Sequence, residues 1–282
     1  MKNTILVFCI LSFLISWTAK FFYCAEDLGW IGLFIPRGFL QLVASYGPTL
    51  AGITIYYLEH RKRGLIALTK SLSRIDIHIK WYLIAVFFEL GSFILIVAIA
   101  HFSGYRNTPL LPGELGNSFV SFFINTITLA LLTGLGEEIG WRGFLLPKLQ
   151  SGFPVIQAAV ILALINSLWH LRTDLLALLM QGDPKGFLLG YIPDMVQRIL
   201  ISVPVVFIMV YLFNSTKGSL FIMVLFHGSA NASWEWVKQV TGLSEPAHLL
   251  PLWTIFLWLT ALYFIPALQR QMKDKKLVTS LL

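Results

Sequence analysis

Long apolar runs alternate with short polar ones along the chain, and the apolar runs are of bilayer length. A helix rising 1.5 Å per residue crosses about 30 Å of hydrocarbon in roughly 20 residues. By that measure eight segments are expected to span a membrane: 4–23, 39–59, 81–102, 117–149, 153–173, 195–213, 218–237 and 250–268. The fourth is long enough to be tilted or broken. Pro147, Gly152 and Pro154 are breakers that should end it and turn the chain. Between the second and third runs, Leu65, Ile66, Leu68, Leu72, Ile75 and Ile79 recur near helical spacing in a polar background, which predicts an interfacial helix over 64–80. The expected fold class is therefore all-α, a polytopic integral membrane bundle of about eight transmembrane helices forming a single domain over 1–282. No internal repeat supports a transporter built from related halves.

Composition agrees with this picture and narrows the partners. Of the 282 residues 57% are hydrophobic and 12% charged, with a formal net charge of +7. The positive residues gather in short loops rather than on a basic face, so they read as topology signals and contacts to anionic lipid, not as a nucleic-acid surface. His60 to Arg63 with Lys70, Arg74 and Lys80 make one loop strongly basic, and Arg270, Lys273, Lys275 and Lys276 do the same for the tail. Both regions, and with them both termini, are expected in the cytoplasm. The loops holding Glu26/Asp27 and Asp174/Asp183/Asp194 then lie outside. The first apolar run lacks a small-x-small cleavage site and is read as an uncleaved span. Cys9 and Cys24 have neither metal-site nor disulfide-framework spacing. A multi-pass protein of the plasma membrane is expected.

Against this apolar background a few polar residues stand out. Glu137, Glu138 and Arg142 lie in the fourth span, His170 near the end of the fifth, and His227 with Asn231 in the seventh. Ionisable groups at such depth are disfavoured by a few kcal/mol even on the gentlest insertion scale, so they mark a site by default. Glu138 and Arg142 are four apart with the acid first, the favourable spacing for a same-face ion pair. Glu137 is rotated about 100° from Glu138 and has no expected partner in its own segment. Glu138 is thus the structural acid and Glu137 the available one. Depths counted from the cytoplasmic turns, ~15–27 Å at 1.5 Å per residue, allow Glu137, His170, His227 and Asn231 to meet.

A free carboxylate, two imidazoles and an amide suit hydrolysis. The carboxylate can take a proton from water, and imidazole or amide N–H groups can donate to a tetrahedral oxyanion. The same Glu137, His170 and His227 could instead hold a divalent metal such as zinc, although no His-Glu-x-x-His pair makes that specific. Glu89, a second deep acid in the third span, could line the same cavity or pair with Arg142. Trp81, Trp234 and Trp236 fit an interfacial aromatic belt.

Glu137-Glu138-x-x-x-Arg142, His170 on the next helix, and His227-x-x-x-Asn231 two spans later together resemble the CPBP family of intramembrane proteases, which includes CAAX prenyl endopeptidases, bacteriocin-processing enzymes and abortive-infection proteins. The resemblance covers roughly 117–237, the expected catalytic core. It implies that Glu137 and His170 activate water, that His227 and Asn231 stabilise the oxyanion, and that Glu138 and Arg142 support the site. Asn166 stands where the family commonly has an aromatic residue four positions before the histidine, a change in the pocket wall. The implied activity is an intramembrane endopeptidase acting on membrane-attached peptides or proteins, in a cavity opening to the cytoplasmic side. Prenylation of the substrate is not readable from the residues, nor is the oligomeric state. An idle binding or immunity protein on the same scaffold, and a proton-coupled carrier in which Glu137, Glu89 and the histidines form a relay, are the rival readings.

Overall fold

The computed structural model describes residues 2–32 and 35–282, and among them every regular element is helical. Ten helices carry the architecture: α1 (Lys2–Asp27), α2 (Arg37–His60), α3 (Lys62–Leu72), α4 (Ile79–Phe102), α5 (Leu115–Gln150), α6 (Val155–Trp169), α7 (Thr173–Met180), α8 (Pro184–Ser215), α9 (Leu220–Thr241) and α10 (Leu250–Lys273). Each of the eight expected spans coincides with a helix. Five of them, α1, α4, α5, α8 and α10, are long and apolar enough to cross a membrane, and α6 with α7 makes a sixth if that pair, bent by 55°, is one span. The expected count of eight is thus lowered on hydropathy. At 24 and 22 residues α2 and α9 have the length to cross, but their polar positions dilute the apolar ones. The chain is an integral membrane protein. Its outer faces expose Leu6, Ile10 and Leu14 on α1 and Leu259, Leu262 and Tyr263 on α10, surface that lipid would cover.

One expectation about boundaries changes. The interfacial helix is shorter than 64–80, ending at Leu72 before α4 begins at Ile79. The fourth span ends within the expected breaker segment: α5 continues through Pro147 to Gln150, and the chain turns at Ser151–Pro154. Pro147 has no N–H to give the Gly143 carbonyl one turn back, and the Tyr56 hydroxyl donates to that carbonyl instead, at 3.2 Å.

The second half of α5, from Gly134 to Gln150, is enclosed by the bundle, and the helix is irregular. Wide π turns at Ala130–Gly134 and Trp141–Leu145 bracket the regular stretch Leu135–Gly140 that carries both glutamates. Such turns loosen the backbone ladder, and in a membrane the freed carbonyls need partners. α2 supplies them. Tyr46 donates to Leu131 O at 2.6 Å, Ser45 to Leu132 O at 3.1 Å and Thr49 to Leu135 O at 2.7 Å. Glycine lets the backbones approach that closely: a Cβ on Gly140 would lie 2.3 Å from Pro48 O. On the other side α9 packs through Gly228, whose added Cβ would lie 2.5 Å from Thr126 O.

The bundle has two distinct ends. At one, Ser219 donates to Arg74 O, Ser71 to Gly218 O, Lys148 pairs with Glu59, and Gln150 and Asn214 exchange hydrogen bonds. This is the end of the basic loops. At the other, Cys24 reaches Thr173 O, Arg172 pairs with Asp194, and Leu111 N–H donates to Val240 O.

Candidate active site

Glu138 is the most enclosed charged group here, with no exposed surface, while Glu137 and Arg142 are each 4% exposed. Helical spacing brings Arg142 Nη1 to 2.8 Å from Glu138 Oε1, as the four-residue interval predicts, and Arg142 Nη2 rests on Met209 Sδ at 2.9 Å. The same Glu138 Oε1 also meets His227 Nδ1 at 2.7 Å. Glu138 therefore has two partners, one in its own helix and one on α9. With Nδ1 committed to Glu138, His227 turns its Nε2 toward Glu137 Oε1, 3.7 Å away.

Glu137 does have a partner in its own segment, contrary to expectation: Trp141, one turn on, donates its indole N–H to Oε2 at 3.2 Å. A neutral indole carries no charge by which spacing alone would single it out. His170 Nε2 lies 3.7 Å from the same oxygen. The two imidazoles thus approach Glu137 on different oxygens.

His170 sits where helix gives out. α6 ends at Trp169, and His170 caps it before the 55° bend into α7. The bend exposes carbonyls at bilayer depth, and α1 satisfies them: Trp17 Nε1 and Lys20 Nζ each donate to Trp169 O at 3.1 Å, and Lys20 reaches Leu171 O at 3.3 Å. Trp169 also stands edge-on to Trp141 and to the His170 ring, at centroid distances of 5.8 and 4.7 Å. Packing thereby couples the holder of Glu137 to the mount of His170. Asn231, one turn after His227, donates to Thr133 Oγ at 3.0 Å, and Thr133 in turn donates to Leu129 O at 2.7 Å.

Glu137, Arg142, His170, His227 and Asn231 all line one cavity of about 1000 Å³. Asn166 forms part of its wall, as does Glu89. Glu89 makes no pair with Arg142; its Oε2 accepts from Trp253 at 3.2 Å and from Ser92 at 3.4 Å, leaving Oε1 buried without a partner. Trp234 lines the cavity, tilted against Phe93, and Trp236 is buried, so neither belongs to an interfacial belt. Among the described residues no three of His, Cys, Asp and Glu converge on a point suited to a metal ion. The expected set of Glu137, His170 and His227 does lie together, each ring Nε2 3.7 Å from one oxygen of Glu137.

The cavity reaches the surface past Arg172, Asp194, Glu235 and Glu245. These residues belong to the end of the bundle opposite the basic loops. An opening to the cytoplasmic side and basic loops on that same side therefore do not go together in this fold.

Residues that spacing did not reveal are mostly those on other helices: Lys20 and Trp17 behind His170, Thr133 behind Asn231, and Arg198 in the cavity wall. The lysine and arginine carried a signal, since each is a charge inside an apolar run.

Comparison with known proteins gives the arrangement a context. Residues 119–233 match the family described as type II CAAX prenyl endopeptidase Rce1-like. The chain is also 38% identical over 55 residues to CAAX prenyl protease 2 of Methanococcus maripaludis, a stretch that spans 20% of this chain and 20% of that protein. The similarity to these CAAX prenyl endopeptidases is confined to that central segment, and the aligned stretch spans about a fifth of the curated relative's length.

Proposed function

We propose that the protein is an intramembrane endopeptidase that cleaves membrane-attached peptides or proteins with a water activated by Glu137. The observation that carries this reading is the pair of 3.7 Å separations from Glu137 to His170 and His227 on the floor of a large cavity. A separation of that size is too long for a direct hydrogen bond and fits one bridged by water. Water held between Glu137 and His170 attacks the scissile carbonyl. Glu137 takes its proton and later delivers it to the leaving amine.

His227 and Asn231 act on the carbonyl oxygen. Asn231 spends one amide N–H on Thr133, which orients the group, and has a second to offer. His227, as the imidazolium, donates Nδ1–H to Glu138, which fixes its ring, and has Nε2–H to offer. Donors held in place before charge develops stabilise the oxyanion more than mobile ones. Glu138 and Arg142 are supports that do not touch the reacting atoms. The buried placement of the site favours a substrate carried in the bilayer.

With the basic loops on the cytoplasmic side of the plasma membrane, the cavity mouth faces away from the cytoplasm. Impermeant thiol labelling of Glu245→Cys, in a variant with Cys9 and Cys24 replaced, reads that orientation directly. The catalytic reading is tested by reconstituting the protein with an acylated reporter peptide and identifying new termini by mass spectrometry. New termini with the unmutated protein and none with Glu137→Gln are expected; equal cleavage by both would sink the assignment.

A further inference from the structure

At the basic end of the bundle, away from the candidate active site, a cleft of about 1200 Å³ opens between the start of α4, the end of α8 and the last turns of α10. Four cations line it, Lys217, Arg270, Lys275 and Lys276, against one carboxylate, Asp274. Asp274 is taken by Lys276 at 2.9 Å, and among the described residues Lys217, Arg270 and Lys275 form no ion pair. Lys217 and Lys275 both stand in left-handed backbone, φ 53° and 55°, at the turns that follow α8 and α10, so chain reversals set their place on the rim. The polar floor is incomplete. Gln271, 7% exposed, donates to Tyr211 O at 3.2 Å and to Ser215 Oγ at 2.8 Å, while its Oε1 is buried without a donor. One flank of the cleft is apolar. Leu262, Pro266 and Arg270 follow at four-residue intervals along one face of α10, and Leu262 and Tyr263 are 61% and 76% exposed where lipid would cover them. Trp81, at the start of α4, stands beside Tyr211 on the opposite wall at a centroid distance of 6.1 Å.

We propose that this cleft binds one anionic phospholipid, with the phosphate held by Lys217, Arg270 and Lys275, a head-group hydroxyl donating to Gln271 Oε1, and an acyl chain lying along Leu262 and Pro266. The composition of the lining decides the occupant. A soluble anion would use the cations and leave the apolar stripe bare, and a zwitterionic lipid would bring a further cation among three that have no partner. An anionic phosphodiester with tails satisfies both halves at once, its oxygens accepting charge-assisted bonds from lysine and arginine. Loop charge alone gives cytoplasmic lysines a diffuse attraction to the anionic leaflet. A walled cleft with an apolar flank turns that attraction into a site for a single molecule. It shares no lining residue with the hydrolytic cavity and stands whether or not the chain cuts peptides.

The test uses the full-length protein, stripped of lipid in detergent, with phosphatidylglycerol and phosphatidylcholine of the same acyl chains, read by native mass spectrometry. One phosphatidylglycerol should be retained roughly ten-fold or more tightly than phosphatidylcholine, the usual strength of a charge-assisted hydrogen bond. The triple variant Lys217→Gln, Arg270→Gln, Lys275→Gln should bring that ratio to about one. Lys62→Gln, Arg63→Gln, Lys70→Gln on α3 removes as much charge from the same end and should keep the ratio. Excess glycerol phosphate, a phosphate head without tails, should leave the lipid in place. Should the first triple variant fold poorly by size exclusion, a photoactivatable phosphatidylglycerol on the unmutated protein answers in its stead, with crosslinks expected on Trp81 and on Leu262–Leu282. Equal retention of the two lipids, equal loss of preference in the α3 variant, displacement by glycerol phosphate, or crosslinks spread over the exposed faces of α1 and α5 would each overturn the proposal.

Discussion

The two adjacent glutamates should fail in different ways when each is made neutral. Glu138 has no exposed surface, and its Oε1 receives both Arg142 at 2.8 Å and His227 at 2.7 Å. Glutamine in its place keeps the shape and one acceptor oxygen but removes the charge that compensates the guanidinium. It also puts an amide N–H₂ where Oε2 now sits buried without a partner. Removing one member of a buried pair leaves the other uncompensated, at about 3–5 kcal/mol. At about 2–4 °C per kcal/mol for chains of this size, the midpoint should fall by roughly 6–20 °C. Glu137→Gln is different: it abolishes no ion pair shorter than 3.7 Å and keeps an acceptor for Trp141. Its midpoint should stay within about 2 °C of the parent, the usual range of a change that breaks no buried network. Loss of the general base should lower kcat by roughly 10²–10⁴. The assay is thermal unfolding in detergent beside turnover of an acylated reporter peptide. An unmutated-like melting point for Glu138→Gln, with the large drop falling on Glu137→Gln instead, would refute the division of roles.

Other consequences follow from named contacts. Gly140→Ala drives a methyl group to 2.3 Å from Pro48 O, backbone against backbone, and should cost about 1–3 kcal/mol in thermal unfolding, whereas Gly116→Ala, with open space around it, should stay near the parent. Thr133→Val frees Asn231 from its orienting bond; kcat on the reporter should fall roughly ten-fold, within the effect of losing a whole oxyanion donor, with KM little changed. Lys20→Met leaves the Trp169 and Leu171 carbonyls short of a donor and should lower both the melting point and kcat, seen by unfolding and turnover on one preparation. Dialysis against EDTA should leave turnover within about two-fold, because the proposed hydrolysis runs through a water held between Glu137 and His170; abolition restored by zinc would replace that mechanism.

Contacts within one helix turn were legible from spacing, and contacts between helices were not. The Glu138–Arg142 pair is the clear case, because the sequence interval alone places both side chains on one face. Glu138 with His227 joins residues 89 apart, and Lys20 with Trp169 residues 149 apart, so no local interval announces them. Depth arithmetic allowed Glu137, His170, His227 and Asn231 to meet, and they do line one cavity, but depth carries no information about azimuth. That missing coordinate is why Glu89 could be offered two fates and why the direction of the mouth did not follow from the loop charges. The fold class was easier, since an apolar run of bilayer length has few alternatives to a helix.

The two helices that fail the hydropathy measure, α2 and α9, are the two that hold α5. This connects the irregular backbone of α5 to the polarity of its neighbours. The π turns flanking Glu137 and Glu138 release carbonyls that cannot be left open away from water. Tyr46, Ser45, Thr49 and Tyr56 on α2 satisfy them, and each of these residues lowers the hydropathy of α2. α9 loses hydropathy through His227 and Asn231, which answer Glu138 and Thr133 on α5. The polarity that lowers the hydropathy of α2 and α9 is thus the counterpart of the distortion in the stretch of α5 that carries the two glutamates. An α2 made apolar at Tyr46, Ser45 and Thr49 would read better as a span and would leave the irregular turns of α5 without their partners.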